Sequence, residues 1–426
     1  MDTGAARELL RGSFEAAVAA ADPLRIVPPH LPPPPRGRTV VVGAGKAAGA
    51  MAKAVDDHWP ADARLEGLVI TRYGHGMETR RIRVVEAGHP VPDERGENAA
   101  REILALASGL SQDDLMLALV SGGGSSLLAL PAGDIAMADL KAVTRDLLAS
   151  GTPIQDMNTV RKHLSAIQGG RLAAATRATV RALVVSDVTG DDPTHIASGP
   201  VAPDPSTFAQ AQEVLARFGV TPPASVQRHL ARGVAGDIGE TPKPGDPAFA
   251  RVENRVIATA HGSLMAAAAH FQGHGIAPMV LGDSVTGESR EVAKVFAAIA
   301  RQLREHAHPL APPVAIISGG ETTVTVRGKG RGGRCSEFLL SLAVELAQLR
   351  DTWAIAADTD GIDGSEDNAG ALLAPDSIGR ALAMGLHPRL MLDANDGYGF
   401  FSALGDLVVT GPTRTNVNDY RAILVR

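Results

Sequence analysis

The chain has 426 residues, more than one hydrophobic core ordinarily serves, so two domains are expected. Hydrophobic residues make up 45% and charged residues 21%, a globular composition, while aromatics are only 3%, too few for a base-stacking surface. The net charge of -6 also argues against a polyanionic partner, so nucleic acid is excluded and any anion site must be local.

The N-terminal stretch MDTGAARELLRGSFEAAVAAADP reads as an amphipathic helix with charges spread along it, unlike a signal peptide. No stretch approaches the roughly 20 apolar residues of a membrane span. With Cys335 as the single cysteine, no intrachain disulfide or Cys-based metal cluster is possible, and a reducing, cytoplasmic setting is expected. The Pro-rich linker 26–37 leads to the first of five strand-like runs, at 39–45, 65–72, 82–88, 114–123 and 181–188. Helical patterns fill the gaps. Asp134 is placed to cap one helix, and Asn158 another that ends at Gly169–Gly170. GDIGETPKPGDPAF (236–249) is the better linker, which divides the chain into 1–245 and 246–426. Beyond it strands are expected at 255–260, 277–283, 314–320, 322–328, 352–361, 406–411 and 422–426, with a helix at 291–306. Alternating strands and helices of this kind make an α/β protein with parallel or mostly parallel sheets.

In VVVGAGKAAGAMAK (40–53), Gly43, Gly45 and Ala48 match the dinucleotide pattern G-x-G-x-x-A. An NAD enzyme should show an acid at the end of the second strand, but that strand ends in Thr71-Arg72, which leaves only an NADP reading open. Lys46 sits where a helix dipole is already positive, which favours either a bound anion or a solvated surface position. SGGGSSL (121–127) repeats the theme. Ser121, Gly122, Gly123, Gly124, Ser125 and Ser126 form either a bare turn or a loop whose amides converge on an anion.

VVSDVTGDDPTHIASGP (184–200) brings Asp187, Asp191 and Asp192 to a strand end, oxygen donors suited to Mg2+. His195 in the same loop reads first as a structural hydrogen-bonder. SGGETTVTVRGKGRGGR (318–334) combines Gly319, Gly320 and Glu321 with Lys329, Arg331 and Arg334, forked and point cations for phosphate or carboxylate. IAADTDGIDGSEDNAGAL (355–372) carries Asp358, Asp360 and Asp363, then Glu366 and Asp367. An EF-hand would need Glu where Ala369 stands, so Mg2+ or a solvated acidic turn is the expectation.

Together VGAGKAA, LVSGGGSSLL, NTVRKHLSAIQGGRLA, SDVTGDDPTHIASGP, ISGGETTVTVRGKGRGGR, DTDGIDGSEDNAGA and GPTRTNVND resemble, in order and over nearly the whole chain, the class II glycerate 2-kinase family. Its C-terminal portion, here about 312–426, is called the MOFRL region, and some members carry an older hydroxypyruvate reductase label. The resemblance implies two Rossmann-like α/β/α sandwich domains with a ligand cleft between them. It implies ATP-dependent phosphorylation of D-glycerate at its 2-hydroxyl, with Mg2+. Lys46 and Arg334 fall on the family's catalytic lysine and arginine. Asp187, Asp191, Asp360 and Asp363 are candidates for holding Mg2+ or for drawing the proton from the acceptor hydroxyl, with Asp187 placed as the catalytic one and Asp191, Asp360 and Asp363 as the metal ligands. The two glycine loops with Glu321 are expected to hold the nucleotide, and Lys329 or Arg331 to clamp the substrate carboxylate. Cys335-Ser336 stands where many relatives have Asn-Gln, and Arg414 where many have Gly. The alternatives are an NADP-dependent hydroxypyruvate reductase and a non-catalytic phosphometabolite-binding protein. Oligomeric state is open, a homodimer being one form.

Overall fold

A computed structural model describes residues 2–347 and 349–426. They divide into two compact units, Pro23–Ile257 and Ala258–Arg426, the latter together with the N-terminal residues up to Asp22.

The unit Pro23–Ile257 is built on a six-stranded sheet of β1 (Thr39–Ala44), β2 (Leu65–Arg72), β3 (Ile82–Ala87), β4 (Leu115–Ser121), β5 (Thr179–Val185) and β6 (Val252–Ala258). The spatial order is β3-β2-β1-β4-β5-β6, and the pairs from β3 to β5 are parallel. β1 and β4 are buried along their whole length, because helices cover both faces of a parallel sheet. That is why they read as unbroken apolar runs. Val40, Val42, Leu68, Met116, Ala118 and Val120 meet Ala100 and Ile103 of the helix Glu94–Ser108 in the core. The strand order reverses between β1 and β4, so their carboxyl ends form the topological switch point where open α/β sheets bind ligands.

Three expectations are corrected here. The run expected at 255–260 is β6 of this first sheet, so the units meet at Ile257, beyond the expected cut at 245. Asp134 lies outside the helix Met137–Ala149, which has no side-chain cap. Asn158 lies inside the helix Ile154–His163, not at its start.

The second unit holds β7 (Ala277–Gly282), β8 (Gly287–Glu288), β9 (Val314–Ser318), β10 (Thr322–Thr323), β11 (Thr352–Asp358), β12 (Gly370–Leu373), β13 (Leu407–Val408) and β14 (Asp419–Val425). Its six-stranded sheet has the order β13-β12-β11-β14-β9-β7. Only β7 and β9 pair parallel, so the sheet is mixed where a parallel or mostly parallel one was expected. β8 and β10 form a separate pair. The N-terminal helix Thr3–Ala19, expected with the first domain, belongs to this unit. Its apolar stripe, Ala6, Leu9, Leu10, Phe14 and Ala17, is buried against Leu264, Phe271, Ile355 and Tyr420. The Tyr420 hydroxyl donates to Ser13 Oγ at 2.8 Å, which fixes the contact. Periodicity announces such a stripe but not what covers it. Among the described residues no helix is long and apolar enough to cross a membrane.

Candidate functional site

At the switch point the two glycine turns of the first unit differ. The turn after β1 is closed on the protein itself: the Gly45 amide donates to the Ile70 carbonyl at 3.1 Å, Lys46 N to the Gly122 carbonyl at 2.8 Å, and Ala47 N to Ser121 Oγ at 3.0 Å. A Cβ on Gly43 would run into the Leu119 backbone of β4. These glycines therefore let β1 and β4 approach, which corrects their reading as a phosphate-cradling turn. The turn after β4 is different. Among the described residues the amides of Gly123, Gly124, Ser125 and Ser126 meet no protein acceptor. They are the donors available to an anion. Gly123 has φ +80°, and a Cβ there would lie 3.3 Å from Lys46 Cγ and 2.8 Å from His89 Nε2. Lys46 thus flanks the open loop. His89, just past β3, was not foreseen, although its place beyond a strand's carboxyl end was the available signal.

The loop is held from behind. Gln168 Nε2 donates to the Ser125 carbonyl at 2.8 Å. Ser125 Oγ lies 2.9 Å from Ser198 Oγ, and Ser198 donates to Asn158 Oδ1 at 3.2 Å. Asn158 in turn accepts from Arg161 Nη1 at 3.5 Å and donates to the His195 carbonyl at 3.5 Å. Asp187 follows β5 by two residues and is half-buried. Asp191 sits in a left-handed turn at φ 54°. Burial pushes the Asp192 carboxyl up, but the Thr194 amide and hydroxyl outweigh it and hold it below its ordinary value.

In the second unit Arg334 opens the helix Arg334–Glu345. Its Nε donates to Asp419 at 2.7 Å, Nη2 to Asp358 at 2.7 Å and Nη1 to Glu321 at 2.6 Å. Burial opposes the charge on Arg334, but Asp419, Asp358 and Glu321 outweigh it and raise its pKa well above the ordinary value. Asp419 has no glycine or charge run around it to mark it in the sequence. The Gly319 amide donates to the Gly282 carbonyl at 2.9 Å, and the Gly320 carbonyl accepts from Asp419 N at 3.2 Å, so this turn too is closed on the protein. Arg331 is exposed; it pairs with Glu366 and stacks on Tyr398, 4.3 Å from the ring centroid. Lys329 is exposed.

The acidic stretch is largely structural. Asp363, fully buried, takes the Cys335 amide at 2.9 Å on one oxygen and the Ser336 amide at 2.8 Å, with its hydroxyl, on the other. Burial nonetheless pushes its carboxyl up. It caps the helix that carries Arg334, and this corrects its reading as a metal ligand. Ser336, which replaces the relatives' amide residue, supplies part of that cap. Asp360 is buried and accepts from Ile362 N at 2.8 Å. Asp191 belongs to the other unit. Among the described residues no three His, Cys, Asp or Glu side chains are grouped to hold a metal ion, so the expected Mg2+ ligands do not form a pre-built site. Arg414 has φ 63°, the left-handed region that suits the glycine many relatives have there.

Residues 9–231 match the model of a domain of unknown function, DUF4147, and residues 314–419 that of the MOFRL family. A protein of Agrobacterium vitis, provisionally named a hydroxypyruvate reductase, is 54% identical, covering 99% of this chain and 94% of its own. A glycerate 2-kinase of Pyrococcus horikoshii is 38% identical, covering 90% of this chain and 86% of its own. The crystal structure of a glycerate kinase from Thermotoga maritima superimposes with a TM-score of 0.87 at 36% identity, covering 99% of this chain and 100% of that one.

Proposed function

The chain belongs to the MOFRL family, with a DUF4147 module ahead of the MOFRL module, and from that premise we propose that it is an ATP-dependent glycerate 2-kinase. The 2-hydroxyl oxygen of D-glycerate attacks the γ-phosphorus of ATP. The bond to the β-bridging oxygen breaks, ADP leaves, and 2-phosphoglycerate forms. The hydroxyl proton passes to the Asp187 carboxylate. Phosphoryl transfer asks the protein mainly for position and positive charge. The open amides of Gly123–Ser126 receive phosphate oxygens, and Lys46 beside them neutralises charge that develops on the moving group. Arg334, in the other unit, is assigned a role in turnover as well. Mg2+ enters with the nucleotide's phosphates, the usual arrangement for this ion. A cytoplasmic setting accompanies this reading.

The observation that carries the proposal is the loop of unengaged amides beside Lys46 at the switch point of the first sheet. The name of the Agrobacterium relative favours a second reading, an NADP-dependent hydroxypyruvate reductase. Against it, the amides of residues 45–47, which a dinucleotide pyrophosphate needs, are taken up by Ile70, Gly122 and Ser121. One assay separates the two. ADP should accumulate with D-glycerate, ATP and Mg2+, and NADPH absorbance should stay constant with hydroxypyruvate. NADPH consumption without ADP formation would reverse the assignment.

A further inference from the structure

Resting on the kinase reading, we propose that Arg161 binds the carboxylate of the acceptor, with Ser125, Ser198 and Asn158 completing the pocket. Arg161 lies in the last turn of the helix Ile154–His163 and is half-buried. Its neighbours in that turn are already satisfied: Lys162 meets Asp204 at 3.4 Å, and His163 meets Glu240 at 3.2 Å. Among the described residues no carboxylate lies within ion-pair distance of Arg161, and its one side-chain hydrogen bond is the 3.5 Å contact to Asn158. Arg290, Arg334 and Arg421, by contrast, each meet carboxylates. A cation withdrawn from water without a counter-ion is unfavourable, and the helix's C-terminal carbonyls offset only part of that cost. The arrangement is explained if an anion completes it. Burial also pulls the guanidinium below its ordinary pKa.

The chemistry selects the anion. One guanidinium among neutral hydroxyls and an amide balances a single negative charge in a planar, two-oxygen group. The phosphate has its own donors in Lys46 and the loop amides. Ser125 belongs to both sets: its amide faces the phosphate loop and its hydroxyl joins Ser198, Asn158 and Arg161 in one hydrogen-bonded chain. A carboxylate held there keeps the adjacent carbon, which bears the 2-hydroxyl, nearest the phosphoryl group and the 3-hydroxyl farther away. The pocket thus accounts for regiochemistry as well as charge. Arg331, closed on Glu366, is not needed for this task.

The test is steady-state kinetics of the full-length enzyme and its Arg161→Met and Arg161→Lys variants, with D-glycerate and its neutral amide, glyceramide, as acceptors. Arg161→Met should raise the KM for glycerate by roughly 10- to 100-fold and erase the preference over glyceramide. The KM for ATP should stay within about three-fold, since the phosphate donors of Lys46 and the loop amides are untouched. Arg161→Lys should recover part of the preference. Arg161→Met should melt no lower than wild type, because it removes a half-buried cation that no carboxylate compensates. An unchanged glycerate-to-glyceramide ratio, a rise in the KM for ATP instead, or a melting point several degrees below wild type would overturn the assignment. Wild-type enzyme that makes no ADP with glycerate would remove the kinase reading and this inference together; an active wild type with an unaltered variant removes this inference alone.

Discussion

Arg334 donates to one oxygen of Asp419 at 2.7 Å while Arg421 holds the other at 2.5 Å. Arg421 is fully buried and also reaches the Gly319 carbonyl at 3.2 Å. The guanidinium of Arg334 therefore ties the turn between β9 and β10, the end of β11 and the start of β14 together in one geometry. Replacing it with Ala removes the cation that Asp358 and one oxygen of Asp419 share, and stability should fall by about 3 kcal/mol. Arg334→Lys should recover much of the stability but little of the turnover, since an ammonium cannot reproduce the fork. Urea unfolding together with kcat checks this. An alanine variant as stable as wild type would contradict it.

The two glycine turns of the first unit should respond differently to a methyl group. Gly43→Ala meets the backbone of β4 and cannot relax, so it should destabilise the unit by about 2 kcal/mol or more. Gly123→Ala meets side chains rather than backbone, those of His89 and Lys46, and adds only the strain of its φ of +80°, about 1 kcal/mol, so its larger effect should be on turnover. Comparing melting temperature and kcat for the two variants tests this. Equal loss of stability in both would count against the division into a packing turn and a binding turn.

Arg331 is exposed and already partnered, so Arg331→Ala should leave both the melting temperature and the KM for glycerate close to wild type. A ten-fold rise in that KM would restore it as a substrate clamp.

Asp56 offers a pH test in a region remote from the chemistry. It is almost fully buried, accepts from the Arg80 amide at 2.5 Å and pairs with Arg81 at 2.8 Å. Burial pushes its carboxyl up, but the Arg80 amide and Arg81 outweigh this and hold it below its ordinary value. A carboxyl depressed in the folded state stabilises it fully above the unfolded pKa, and that contribution is lost as pH falls through the folded pKa. Asp56→Asn should therefore be about 2 kcal/mol less stable than wild type at pH 7, and the gap should close below about pH 4. Urea midpoints at neutral and acidic pH measure it; a gap that does not change with pH would contradict the assignment.

Much of the first sheet was legible in the sequence, because strands buried on both faces are unbroken apolar runs ended by glycine. The second sheet was less so. Apolar periodicity does not record strand direction, and GALL at 370–373 is too short to distinguish from a turn. Lys46 and the Ser121–Ser126 loop were visible because charge and bare backbone meet at strand ends. Asp419, His89, Asn158 and Arg161 were not, since a lone polar residue in a strand, loop or helix looks like any other until its neighbours are known. The acidic run around Asp363 pointed to a metal because capping a helix and ligating a cation draw on the same carboxylate.

The most direct measurement is phosphorus NMR of the product formed from D-glycerate and ATP with Mg2+. A resonance coupled to the C2 proton, appearing in step with ADP and lost in Lys46→Ala, is the predicted result. A resonance coupled to the C3 protons, or no phosphorylated product at all from folded wild-type enzyme, would contradict the account.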